Sequence, residues 1–280
     1  MSDPTMVGRL RIDGVVDGEA HFAPEQTFRG TTPEMWQAHQ DLLDEDGKLA
    51  FVMGGYLVRG GGDRTVLVDA GLGKGTLLGI ACGAMLDNLA GLGVAPEEIT
   101  DVVFTHLHID HIGWAVTDER ATFPNATYRC AAADWDHFME HTKDQHDHFG
   151  PSEGVAVNTY EHLKSVEDRF EVHSGSGTLL PGVDVMSAPG HTPGSSVVVF
   201  SSGAERAMLL GDVVHCPVQL VDDDWAGVFD VDPELARRSR TALARELEGH
   251  DVPVAGAHFP GMTLGRLLSG GQRTRRWVVP

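Results

Sequence analysis

Residues 99–111 of the chain read ITDVVFTHLHIDH. The first half, β-branched and apolar, suits a buried strand. Its end opens directly onto four coordinating side chains, His106, His108, Asp110 and His111. At an extended strand end, residues two apart leave the same face, so His106 and His108 point together. Asp110 and His111 follow as the chain turns towards its next element. Four polar groups are thereby brought into one small volume behind apolar packing. Desolvating so many without a partner is costly. Imidazole nitrogens and carboxylate oxygens are ligands for Zn²⁺ and related ions, so a metal is the partner this stretch requires.

Four side chains from one loop do not complete such a site. Three other stretches each offer a ligand beside a strand-like run. His191 lies in APGHTPGSS (188–196), Asp212 in MLLGDVVH (208–215) and His258 in VAGAHFPG (254–261). Loops at strand ends are where α/β folds place their sites.

The remaining chain fits that layering. FVMGGYLVRGGGDRTVLVDAGLG (51–73) predicts two strands about a glycine turn, then a loop opening at Asp69. Residues 76–94 carry apolar side chains at helical spacing and predict a helix ending before Pro96. Residues 134–149 and 158–170 predict further helices, the first either a solvated polar one or a lid over the site. Residues 232–250 predict a helix capped by Asp232 with Pro233 in its first turn. Strands and helices alternate in both halves, which gives an α/β fold. No linker divides the 280 residues, so one two-halved domain is expected.

The ordered set THLHIDH, PGHTPG, GDVVH and AHFPG resembles the metallo-β-lactamase superfamily of hydrolases, and VLVDAGLG resembles that family's first motif. The likeness spans about residues 50–262, with residues 1–49 as an N-terminal extension packed on this core. It implies a four-layer αββα sandwich: two mixed sheets face to face, helices outside, and a metal site at one edge. It assigns His106, His108 and His191 to one ion, and Asp110, His111 and His258 to a second. Asp212 would bridge the two, and Asp69 would support the histidine loop without binding metal. The implied cofactors are two divalent ions, zinc first, with Mn²⁺, Fe²⁺ and Co²⁺ accepted by the same donors. A hydroxide shared by two such ions would be the nucleophile towards an ester-like carbonyl or a phosphorus centre. Asp110 and His215 are the residues expected to share in that reaction.

Lactonases of the superfamily commonly carry a tyrosine three residues after the bridging aspartate, where this chain has His215. GDVVHCPVQL, FDVDPELARRSR and GAHFPG look closer to the branch of organophosphate-type hydrolases. The expected activity is hydrolysis of a small ester-like molecule: a lactone, a carboxylic ester or an organophosphate. His215 reads either as an oxyanion donor or proton shuttle, or as a packed histidine lining the site. A glyoxalase II-like thioester hydrolase shares the ligand set, but Arg237, Arg238 and Arg240 read as a solvated helix face rather than a carboxylate-binding cluster. A single-iron persulfide dioxygenase of the same fold is the other alternative. His108 stands against a flavodiiron protein, which has glutamate at that position.

Composition narrows the partners. Against 41 Asp and Glu stand 21 Lys and Arg, a net charge of −20 that repels a phosphate backbone. Nucleic acid is therefore not expected. No apolar run reaches the length of a membrane span, and MSDPTMVGRL shows no secretory leader. Three scattered cysteines without a CxxC fit a reducing cytoplasm. Cys82, Cys130 and Cys216 are expected as small buried apolar residues. Phe22, Phe28, Met35 and Trp36 are expected in the core, with the wall of a substrate pocket as the alternative. The expected partner is a small-molecule substrate, with a homodimer left open.

Overall fold

The computed structural model describes residues 3–77, 80–142, 158–270 and 275–280. Seven strands form the first sheet in chain order: β1 (Thr5–Val7), β2 (Leu10–Phe22), β3 (Leu49–Arg59), β4 (Val66–Val68), β5 (Asp101–Val103), β6 (Thr127–Ala131) and β7 (Phe170–His173). Neighbours are antiparallel from β1 to β4 and parallel from β4 to β7. The second sheet holds β8 (Gly177–Leu180), β9 (Val183–Ser187), β10 (Ser196–Ser202), β11 (Glu205–Leu209) and β12 (Val254–Ala255). It is antiparallel except for the parallel pair β11–β12.

Strand β3, LAFVMGGYLVR, is a nearly unbroken buried run, as a strand covered on both faces should be. Its side chains still alternate. Val52, Tyr56 and Val58 point into the core shared with the second sheet, where they meet Val185, Val198, Phe200 and Leu209. Phe51, Met53 and Leu57 point the other way, into a core closed by Met85 and Leu89 of the helix Met85–Gly91. The outer face of the second sheet packs Val199 and Met208 against Leu243, Ala244 and Leu247 of the helix Pro233–Leu247. Helix, sheet, sheet and helix thus stack in four layers, the αββα sandwich that the motifs imply. Among the described residues, no helix is long and apolar enough to cross a membrane.

Several local expectations hold. The helix Pro233–Leu247 begins with Asp232 accepting the Leu235 amide at 2.9 Å. Phe28 and Trp36 are buried with Cys216 and Trp225 in a small side cluster, and Cys130 is buried in the main core. Others are corrected. Met35 is largely exposed and Cys82 only half-buried. Residues 76–94 do not form one helix: Gly75–Leu77 and Ile80–Cys82 pair as a hairpin, and only Met85–Gly91 is helical.

The cause of that break lies far away in sequence. A register shift between Val16 and Gly18 in β2 leaves Asp17 off the regular ladder, the usual effect of a β-bulge. Asp17 is 1% exposed and accepts five hydrogen bonds. They come from the amides of Leu72, Gly73, Gly83 and Met85 and from the Trp114 indole, at 2.7–3.1 Å. The amides of Gly83 and Met85 are thereby drawn to a carboxylate, and the helix starts only at Met85. Asp17→Ala strands these donors in a dry interior, where each unsatisfied group is costly. We expect a loss of at least about 3 kcal/mol in urea unfolding. A loss below about 1 kcal/mol would mean that water replaces the carboxylate.

Candidate metal centre

β9 and β11 are both antiparallel to β10, so they run the same way, and β12 runs parallel to β11. In the first sheet β4 and β5 are parallel. The segments that follow these five strands carry Asp69, the His106–His111 stretch, His191, Asp212 and His258, and they meet at one edge of the sandwich. The backbone carbonyl of Thr105, just before His106, accepts the Ser196 amide at 2.9 Å, stitching one sheet to the other beside the site. Gly211, before Asp212, has φ +51°, and a Cβ there would lie 2.6 Å from the Thr105 Cβ. Glycine is what lets the Asp212 turn approach this closely.

Two groups of ligand atoms result, and His215 makes a third, overlapping candidate group with His191 and Asp212. His106 Nε2, His108 Nδ1 and His191 Nε2 form a triangle with sides of 3.0, 2.9 and 3.2 Å. An ion bound tetrahedrally at about 2.0–2.1 Å holds its nitrogens about 3.3 Å apart, so the triangle is close to that size. The second group is Asp110, His111, Asp212 and His258. His258 Nε2 lies 3.0 Å from Asp212 Oδ2 and 3.5 Å from Asp110 Oδ2, and His111 Nε2 lies 3.3 Å from Asp212 Oδ1. Asp212 Oδ2 is also 3.5 Å from His191 Nε2 and 3.9 Å from His106 Nε2. The Asp212 carboxylate therefore stands between the two groups.

The far side of most rings is tied to the protein. His258 Nδ1 donates to Val52 O at 2.7 Å, and His111 Nδ1 donates to Asp69 Oδ2 at 2.9 Å. His191 Nδ1 lies 3.4 Å from Asp230 Oδ1. His106 Nδ1 lies 3.2 Å from Thr105 Oγ1, whose own hydrogen goes to Asp69 Oδ2 at 2.8 Å. Such contacts fix the ring orientation and leave Nε2 facing inwards. Asp69 also accepts the Thr105 amide at 2.8 Å, so one carboxylate grips both ends of the histidine stretch.

The electrostatics suit a cation. Burial drives the His106 and His108 imidazoles well below the ordinary histidine range, and nearby histidines push the same way. Such rings are neutral, the form that binds metal. Burial also opposes charge on His111, but Asp212, Asp110 and Asp69 outweigh it and hold its pKa well above the ordinary range. Burial raises Asp212, yet His258, His111 and His215 outweigh that and hold it well below the carboxylate range. The second group thus attracts positive charge into a dry place. Asp110 Oδ1, Asp212 Oδ1 and His111 Nε2 are buried and make no hydrogen bond among the described residues. Bare acceptors on buried carboxylates, beside neutral imidazoles, fit one or more divalent ions.

All seven sequence-identified ligand candidates meet here, and Asp69 adjoins them. His215 lies to one side, with Nε2 3.5 Å from Asp212 Oδ2 and its ring stacked 6.0 Å from that of His258. It is buried and is not in the wall of the pocket that opens onto the site. That pocket has an empty volume of about 810 Å³. Phe22, Phe51, Met53, Leu72, Ile80 and Phe229 form its apolar wall, above His108, Asp110, His191, Asp212 and His258.

Sequence reading missed three supports. Arg240 is not on a solvated face: it is 3% exposed, with Nη1 3.1 Å from Asp230 Oδ2, behind His191. Its partner sits ten residues back, before the helix, so helical spacing gives no hint of it. Asp17 lies in a strand unassigned from sequence. Asp134 is fully buried with Phe138 and Met139, so the part of 134–149 that is described, up to Thr142, is not a solvated helix. Lys143–Phe149 lie outside the described residues. Among the described residues, His137 and His141 share no candidate metal group.

Asp69 is in neither ligand group and its carboxylate bonds only the outer nitrogen of His111 and Thr105, so its removal tests the support. Asp69→Ala should weaken metal retention and any hydrolytic activity by about 10–100-fold while the fold persists. Chelator titration with circular dichroism checks this, and wild-type retention would remove Asp69 from the site.

The sequence pattern of the Metallo-beta-lactamase superfamily matches residues 55–258. Metallo-beta-lactamase domain-containing protein 1 of Mus musculus is 32% identical over 207 residues, which cover 71% of this chain and 65% of the mouse protein. N-acyl homoserine lactonase of Bacillus thuringiensis is 25% identical over 175 residues, 59% of this chain and 60% of the lactonase. The chain thus spans less than two thirds of the length of these relatives. Among solved structures, AidC, a dizinc quorum-quenching lactonase in complex with a product, is 24% identical. It matches with a TM-score of 0.86 over 99% of this chain and 97% of its own, a likeness of fold. With a family pattern that runs from within β3 to the last histidine of the cluster, this chain belongs to the metallo-beta-lactamase superfamily.

Proposed function

We propose that the chain is a dizinc hydrolase of a small, uncharged ester or lactone that carries an apolar chain. One observation carries this reading: five members of the seven-residue His/Asp cluster, His108, Asp110, His191, Asp212 and His258, form the floor of a pocket whose described walls are almost wholly apolar. His106, His108 and His191 would hold one ion, Asp110, His111 and His258 the other, and Asp212 both. Bound there, two divalent ions activate water as a nucleophile and polarise the oxygen of the bond to be cleaved. The protein's own part is to position and to exclude. Phe22, Phe51, Met53, Leu72, Ile80 and Phe229 would take up the apolar chain and keep bulk water from the reacting bond. Phe51 stacks 3.8 Å from the His258 ring, so the same side chain packs a metal ligand and faces the substrate.

Among the described residues no lysine or arginine lines the pocket, and Gln26 is the one polar side chain there outside the cluster. This disfavours substrates that carry a carboxylate or phosphate, glutathione thioesters among them. It supports neutral esters, with N-acyl homoserine lactones first to be tried because both the Bacillus relative and AidC are named lactonases. Each methylene buried is worth about 0.8 kcal/mol, so kcat/KM should rise about fourfold per added acyl methylene until the wall is covered. A panel of lactones and esters of increasing chain length checks this on protein whose zinc content is measured. A flat series, or preference for an anionic β-lactam or thioester, would overturn the substrate reading. Fewer than two ions at saturation would overturn the dizinc one.

Of the two readings of His215, we favour the packed histidine, and add that it steadies Asp212, which lies 3.5 Å from its Nε2. Burial pushes its pKa down to about 3, so the ring is neutral through the physiological range. Its Nε2 faces the Asp212 carboxylate rather than the pocket. His215→Ala should then lower metal affinity about 10–100-fold and leave KM nearly unchanged. If kcat fell about 10²–10³-fold with both ions still bound, His215 would instead be an oxyanion donor.

A further inference from the structure

The two loops that supply the His106, His108 and His191 triangle belong to different sheets. His106 and His108 follow β5 of the first sheet, and His191 precedes β10 of the second. Asp134, just after β6, reaches both. Its Oδ2 accepts the Leu107 amide at 3.0 Å and the Thr192 hydroxyl at 3.0 Å, and its Oδ1 accepts the Gly194 amide at 2.5 Å. Leu107 stands between the two histidines of the first loop, and Thr192 is next to His191. The second loop is stiffened within itself: Ser195 Oγ accepts the Thr192 amide at 2.9 Å and lies 2.8 Å from Thr192 Oγ1. A Cβ at Gly194 would lie 2.6 Å from the Asp134 amide nitrogen, so this loop is seated against Asp134 as a unit. All three partners are uncharged donors, and the carboxylate is 0% exposed. A buried carboxylate without a cation is costly unless it is fully hydrogen-bonded.

From this we infer that Asp134 is a positioning residue for one ion of the pair. It sets the spacing between the His106–His108 loop and the His191 loop, and thereby the affinity of that triangle, without touching ion or substrate. The inference rests on the proposed dizinc reading. Asp69 acts on both groups, bonding His111 directly and reaching His106 through Thr105, whereas Asp134 contacts only the loops of the triangle.

The expected phenotype is selective. Asp134→Asn keeps the shape of the side chain but turns an N–H towards donors that need an acceptor. One of two zinc ions should be bound about 10–100-fold more weakly, and the other as in wild type. Thr192→Val, which removes a single hydroxyl, should weaken the same ion to a smaller degree and serves if Asp134→Asn does not fold. Zinc per chain is measured by elemental analysis along a chelator titration, on wild type and variants together. Combined with His191→Ala, Asp134→Asn should cost little further affinity, because both act on one ion. Combined with His258→Ala, the two losses should add. Unweakened binding of both ions in Asp134→Asn and Thr192→Val, or equal weakening of both, would overturn the assignment while leaving the dizinc reading intact. Wild-type protein that takes up fewer than two ions would overturn the dizinc reading first.

Discussion

The grip of Asp69 on the histidine stretch is the interaction from which the rest of the site follows. Asp69 sits just beyond β4 with φ +61°, a left-handed conformation that aspartate tolerates better than most residues. That turn aims its carboxylate sideways at the neighbouring parallel strand end. There it accepts the Thr105 amide, the Thr105 hydroxyl and His111 Nδ1. One acceptor-only group thus fixes where the stretch leaves β5 and which nitrogen of His111 faces the cluster. Because Thr105 is also bonded to Ser196, the same short segment joins the two sheets at the edge where the other ligands arrive.

The use of aspartate is repeated around the centre. Asp17 holds the loops at Leu72, Gly83 and Trp114, Asp134 holds the two loops of the histidine triangle, and Asp230 stands between His191 and Arg240. Each has its oxygens engaged by donors from the surrounding loops. Asp110 and Asp212 differ in each keeping a buried oxygen without a hydrogen-bond partner among the described residues. Full satisfaction marks the carboxylates that build the frame, and partial satisfaction those that face the cation. The acidic balance of the chain, −20 overall, is in part this internal demand for acceptors where loops cannot pair with one another.

The pocket follows from the same frame. β3 carries Phe51 and Met53 on the face that looks away from the second sheet, towards the mouth of the site. Phe22 comes from the end of β2, which is paired with β3 as far as Phe22↔Leu49. Asp17, in the middle of β2, fixes the Leu72 backbone on the opposite wall. The N-terminal 49 residues therefore supply wall and anchor alike, although no metal-binding motif lies within them.

Much of this was legible before any coordinates. The ligand candidates, the strand ends that bear them and the layer order are written locally: an apolar run followed by clustered His and Asp needs only neighbours to be read. The capped helix from Pro233 is equally local, since its start depends on Asp232 alone. What sequence could not show was set by partners far apart in the chain. The hairpin before Met85 forms because Asp17 claims the amides of Gly83 and Met85. Arg240 is buried because Asp230 meets it under His191, where spacing along the helix shows only a charged face. Asp134 looked like one acid in a polar helix until two loops from different sheets closed on it. Which atoms can hold a cation is written in the residue types, because ligand chemistry resides in side chains. The tertiary structure alone decided which carboxylates are bound up in holding loops and which stay free to face the ion, because that depends on which donors folding brings within reach.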